Sequence, residues 1–190
     1  MKKELRPERQ YAKTFDRVKA NHRARYEFAK PRVSGTILDA ACGIGYGSQH
    51  IGATLAIDID PGAILFAHNY YPGPIYIQSD IQRMSFANLD WIVCFETIEH
   101  LPAPQNFLFY ANAKHLICSV PNQNVLKFRP QDFVGDEYPH LTHYTPEQFD
   151  KFLESCCWKP VEKFTQKDID VEPGTDGKYL VYVCERISER

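Results

Sequence analysis

The chain has 190 residues, 44% of them hydrophobic, which is enough for one sizeable core and too few for two. It holds no apolar run of about 18 residues, so no membrane-spanning helix is expected, and the opening MKKELRPERQ lacks the apolar stretch of a secretory signal. The net charge of −2 is uneven: residues 1–32 carry eleven Lys and Arg against four Asp and Glu, which leaves −9 for the remainder. That basic excess reads first as the polar face of a helical arm (1–32) preceding a main domain (33–190). Contact with nucleic acid is the disfavoured alternative.

In chain order, residues 9–30 place Tyr11, Phe15, Val18, Tyr26 and Phe28 at roughly helical spacing. Strand-like apolar runs follow at 36–41, 54–59, 75–78, 90–95, 115–120, 159–165 and 179–184. Helical segments lie between the early ones: a short one after Gly47, then 61–70 and 102–112, both opening near a proline. Residues 145–156 read as a Thr145 N-cap and Pro146 at the first helical position, followed by apolar Phe149, Phe152 and Leu153. Alternating strands and helices imply βαβ units and a parallel sheet covered on both faces. After residue 158 two strand runs share a polar connection, which predicts a terminal hairpin and an antiparallel strand at one edge. The irregular stretch 121–144 is long for a compact domain and is expected to be functional.

Two stretches carry chemistry. In TILDAACGIGYGS a strand runs into Gly43, Gly45 and Gly47 ahead of a helix start, where glycine permits sharp turning and close ligand approach. The next strand ends at Asp58, positioned to accept ribose hydroxyls. Asp80, with Ile81 beside it, follows the third strand and could read an adenine edge and face. The second stretch, VCFETIEHLPAP (93–104), packs Glu96, Glu99 and His100 where a strand meets a helix start. Acids also favour helix starts, and a lone histidine often serves a structural role, so a functional reading rests on the cluster.

The glycine pattern is G-x-G-x-G preceded by Asp39 and Cys42, not the dinucleotide G-x-G-x-x-G. It resembles motif I of the class I S-adenosylmethionine-dependent methyltransferases, and the resemblance continues through AIDIDPGAILFAHNYY, SDIQRMSF, LDWIVCFETIEHLPAP, HLICSVPNQN and HYTPEQFDKFLESCCW. It implies a Rossmann-like α/β fold with a seven-stranded, mostly parallel sheet and an antiparallel C-terminal strand. It also implies S-adenosylmethionine as cofactor, S-adenosylhomocysteine as product, and roles for named residues. Gly43 and Gly45 would lie against the methionine part with Asp39 nearby, and Asp58 would take the ribose. Asp80 would take the adenine amino group between Ile59 and Ile81. Glu96, and Arg23 or Tyr26 from the HRARYEFA helix, would meet the methionine end. Core packing is the competing role for Tyr26.

Glu96-x-x-Glu99-His100 resembles the metal-binding signature of small-RNA 3′-end 2′-O-methyltransferases, with His140 at the matching distance before Thr145. The same signature occurs in ubiquinone-biosynthesis-type O-methyltransferases. Two readings stay open: a divalent metal held by Glu96, Glu99, His100 and His140, or His100, His140 and His143 acting as base or acceptor anchors. The expected acceptor is an oxygen of a small molecule or saccharide, with an RNA 3′-terminal ribose or a non-catalytic cofactor-binding module as alternatives. Six cysteines without a CxxC pair fit a reducing, cytoplasmic compartment. No membrane partner is expected, and the chain is expected to be a monomer or homodimer.

Overall fold

The structure is a computed structural model that describes residues 11–187. One eight-stranded sheet organises the chain. Its strands are β1 (Ile37–Ala40), β2 (Leu55–Asp58), β3 (Ile75–Gln78), β4 (Phe86–Phe95), β5 (Ala111–Pro121), β6 (Trp158–Gln166), β7 (Val171–Pro173) and β8 (Tyr179–Arg186), in spatial order β3-β2-β1-β4-β5-β8-β6-β7. The pairings among β1 to β5 are all parallel, while β8 is antiparallel to both β5 and β6. Strand order reverses between β1 and β4, which opens a crevice at their carboxyl ends.

Alternation along the strands divides the core. Ile92 and Cys94 of β4, Leu116 and Cys118 of β5, and Leu180 and Tyr182 of β8 face α4 (Pro104–Tyr110) and α5 (Pro146–Ser155) through Phe107, Leu108, Phe149 and Leu153. The intervening Val93, Phe95, Ile117, Val181 and Val183 cluster with Tyr26 and Ala29 of α1 (Ala20–Ala29) and Ile51 of α2 (Tyr46–Ile51). Helix α3 (Pro61–Tyr70) covers β2 through Ala63, Ile64 and Ala67. The Asp60 side chain accepts from Gly62 and Ala63 at the start of α3, and Thr145 and Gln148 form a reciprocal capping box at the start of α5.

Three expectations need correction. The sheet has eight strands, because three exposed or half-buried residues of the last connection pair with β6 as β7. The antiparallel β8 lies inside the sheet between β5 and β6, its apolar run buried on both faces; the edge is β7. The 9–30 segment divides into a 3₁₀ turn at Phe15–Arg17 and α1; its residues 9 and 10, like the rest of 1–10, lie outside the described residues. Helix α2 is short, as the close spacing of Gly47 and Asp58 requires.

Gly47 explains how α1 approaches α2. A Cβ there would run into the Tyr26 ring, so only glycine lets the two helices meet at this point. Gly47→Ala is expected to cost about 1–3 kcal/mol through overpacking and to lower Tm by several degrees in a thermal melt. An unchanged Tm would mean that Tyr26 does not sit on α2.

Candidate active site

A cavity of about 710 Å³ lies along the carboxyl ends of β1 to β4. The loop after β1 forms its floor. Ala41, Gly43 and Gly45 all have left-handed backbone conformations, and the space beside the Gly43 α-carbon is open. Gly43 donates its N–H to Asp58 Oδ2 at 2.7 Å, and the other oxygen of Asp58 accepts from the Asp60 N–H at 2.9 Å. Asp58 therefore has a fixed orientation at the cavity wall. Asp80 and Ile81 line the same end, with Asp80 capping the turn Ile81–Arg83 through the Gln82 N–H at 2.9 Å.

Beneath the floor lies a buried carboxyl. Asp39 is fully enclosed and accepts from Ser48 Oγ at 2.6 Å, with the Tyr26 hydroxyl at 3.3 Å. Burial pushes its pKa up to about 7, against the two hydrogen bonds and with help from the nearby Asp58 charge. Tyr26 itself reaches the cavity, beside His22 and Arg25 of the same helix. Arg25 is 3% exposed, donates to Gln166 Oε1 at 2.6 Å, and sets its guanidinium 5.3 Å from the Tyr179 ring centroid. Burial, with the Arg25 and Lys19 charges, lowers the His22 pKa to about 4.

The opposite end is built from the turn after β4 and the loop after β5. Glu96 adopts φ 47°, and its carboxylate accepts from Ser119 Oγ at 2.6 Å. Glu99, His100 and His140 each bring one donor atom within 4.8 Å of the others. The His100 and His140 rings meet edge to face at 4.5 Å, and the Leu141 N–H bonds the Glu99 carbonyl at 2.7 Å, joining the loop to the turn. His140 is held neutral, its pKa lowered to about 3 by burial and by His100 and His143.

The fold has counterparts among solved structures. A methyltransferase from Thermotoga maritima, described as a possible histamine N-methyltransferase, superposes with a TM-score of 0.73 at 12% identity, over 88% of this chain and 90% of that one. A methyltransferase from Clostridium acetobutylicum gives 0.67 at 15%, over 95% and 94%. Magnesium protoporphyrin IX methyltransferase from Synechocystis, with bound S-adenosylhomocysteine, gives 0.60 at 16%, over 88% and 81%. At such identities the likeness speaks to the fold. No curated protein matches the sequence. Residues 38–112, which run from β1 into β5 and include the glycine loop, Asp58, Asp80 and the Glu96–His100 turn, match the family model of a methyltransferase domain. Over these residues the chain is similar to methyltransferase domains, and its fold is that of the class I S-adenosylmethionine-dependent methyltransferases.

Most of the anticipated site residues do gather at one cavity: Tyr26, Gly43, Asp58, Ile59, Asp80, Ile81, Glu96, His100 and His140 all line it. The others stand elsewhere. Asp39 supports the floor from below, and Gly45 turns the chain against Tyr76 and Ala67. Arg23 pairs with the Asp16 carbonyl and lies 4.0 Å from Glu27, outside the cavity lining. Glu99 is fully buried and outside the lining, close to His100 and His140; Glu96, although it lines the cavity, is tied to Ser119 and is not in that trio. His143 sits behind His140 and not in the cavity. His22, Arg25, Tyr46 and Tyr179 were not anticipated. The first two share a helix face with Tyr26, a signal present at i, i+3 and i+4, whereas Tyr179 arrives from a remote strand.

The raised pKa of Asp39 has a consequence for stability. An unfolded Asp ionises near its ordinary value of 3.8, the folded one near 7, so between these values the folded chain binds the extra proton and stability falls as pH rises. Asp39→Asn removes that slope. The Tm of the variant relative to wild type is expected to rise between about pH 4 and about pH 8, by the equivalent of a few kcal/mol. A difference that does not vary with pH would contradict a proton held at Asp39.

Proposed function

We propose that this methyltransferase carries a methyl group from S-adenosylmethionine to an oxygen of a small molecule or saccharide. The observation that carries the proposal is one cavity with two chemically distinct ends: Gly43, Asp58 and Asp80 at one, Glu96, His100 and His140 at the other. At the first end Asp58 accepts the ribose hydroxyls, Asp80 the adenine amino group, and Ile59 and Ile81 flank the ring. Gly43 lets the backbone approach the methionine part. Arg25 is the anchor for the methionine carboxylate: it is a buried guanidinium facing the cavity, with neutral Gln166 as its hydrogen-bond partner, and a carboxylate completes its charge. Burying a cation without a counter-charge is costly, which favours an anionic ligand at this position.

S-adenosylmethionine supplies a methyl on a cationic sulfur, and its displacement requires an acceptor oxygen in line and a route for the acceptor's proton. Glu96 and Tyr179 border that oxygen's approach. Glu99, His100 and His140 fit a divalent metal, since one carboxylate and two imidazoles form a borderline donor set; a bound ion would lower the pKa of an acceptor hydroxyl. The loop residues 137–141 cover this end and set which acceptors enter. A reducing cytoplasmic setting is consistent with six free cysteines.

Transfer of a labelled methyl to a panel of alcohols, phenols, saccharides, amines and RNA 3′ ends, with and without chelation, tests the assignment. Label on hydroxyl acceptors, lost on chelation and restored by a divalent ion, is the expected result. Label confined to amines would overturn the oxygen assignment, and full turnover after exhaustive chelation would remove the metal. For the cofactor end, Asp58→Ala and Arg25→Gln are each expected to weaken S-adenosylhomocysteine binding by roughly 10–100-fold, while Arg23→Gln leaves it unchanged. Calorimetry showing Arg25→Gln at wild-type affinity would contradict the anchor.

A further inference from the structure

Behind His140 the loop after β5 carries a second imidazole whose hydrogen bonds have only one consistent arrangement. His143 is nearly buried, and its Nδ1 lies 2.6 Å from the Leu126 carbonyl oxygen. A carbonyl only accepts, so Nδ1 of His143 carries the hydrogen and, in a neutral ring, Nε2 is the acceptor. That Nε2 lies 2.7 Å from Nδ1 of His140, which must then donate. The lone pair of His140 is thereby left on Nε2. Phe133 stacks on the His140 ring at 4.4 Å and 13°, fixing its plane, and Phe128 lies 5.4 Å from His143. Residues 126 and 143 stand near the two ends of one loop, so this relay also ties the loop to itself.

We propose that His143 is a positioning residue, which through the relay Leu126 carbonyl–His143–His140 selects the His140 tautomer and presents its Nε2 beside Glu99 and His100. The proposal rests on the reading of that trio as a metal site. Outer partners of this kind fix ligand orientation, and losing one typically weakens metal binding about 10–100-fold.

The test is titration of the full chain with Co²⁺ alone, followed by calorimetry and visible absorption, with S-adenosylhomocysteine affinity as a measure of intact folding. His143→Phe keeps the ring volume and loses both hydrogen bonds; its Co²⁺ affinity is expected to fall about 10–100-fold. His143→Gln can donate to Leu126 and accept from His140, and is expected to stay close to wild type. Nitrogen chemical shifts of the wild-type rings should show hydrogen on Nδ1 of both His140 and His143. Equal Co²⁺ affinity of wild type and His143→Phe would overturn the proposal, as would a His140 ring protonated on Nε2. Wild-type protein that binds no Co²⁺ would remove the metal reading instead, and the tautomers would still decide the relay. They decide alone if His143→Phe loses S-adenosylhomocysteine binding as well.

Discussion

The cofactor side of this protein depends on one enclosed carboxyl. Asp39 stands at the end of β1 and gathers Ser48 from α2 and Tyr26 from α1, so three elements meet under the glycine loop. Every other feature of that end follows from the junction. Gly47 must lack a side chain for Tyr26 to reach it, and once Tyr26 is in place, the same helix face delivers His22 and Arg25 to the cavity. Burial raises the pKa of this acid to about 7, while the Ser48 and Tyr26 donors, which satisfy its oxygens, pull the other way.

The acceptor side is built on a different principle. There the backbone is irregular: Glu96 occupies a left-handed conformation, the Leu141 N–H closes onto the Glu99 carbonyl, and the 3₁₀ turn Ile98–His100 aims two side chains at the loop after β5. Strain and long loops concentrate at functional sites. On the proposed function, a rigid nucleotide end and a loop-built acceptor end would let one sheet hold its cofactor firmly while acceptor choice rests on loop residues.

Much of this was legible in the sequence, for a physical reason. Strands β1 and β2 and the carboxyl halves of β4 and β5 are buried on both faces and therefore read as plain apolar runs, and Asp58, Asp80 and Gly43 stand at or just beyond the carboxyl ends of β2, β3 and β1. What escaped was set by geometry with no local pattern. Strand β7 is three residues held by backbone pairing, and β8 enters the sheet through contacts between residues about 70 apart, such as His115 and Glu185. Arg25 and Arg23 are chemically identical and two positions apart, and only the phase of α1 against β6 decides which guanidinium is enclosed. Glu96 is close to Glu99 and His100 in sequence, but its left-handed backbone and its bond to Ser119 set it apart from them. Spacing before Thr145 pointed to His140, which lines the cavity, but nothing local in the sequence showed that His143 packs behind it.

The central claim is the orientation of the cofactor in the cavity, and a crystal structure of the S-adenosylhomocysteine complex tests it most directly. The account predicts the ribose on Asp58, the adenine between Ile59 and Ile81, the carboxylate on Arg25, and the sulfur facing Glu96 and the histidine pair. A ligand lying the opposite way, with adenine among His100 and His140 and Arg25 uncontacted, would contradict it.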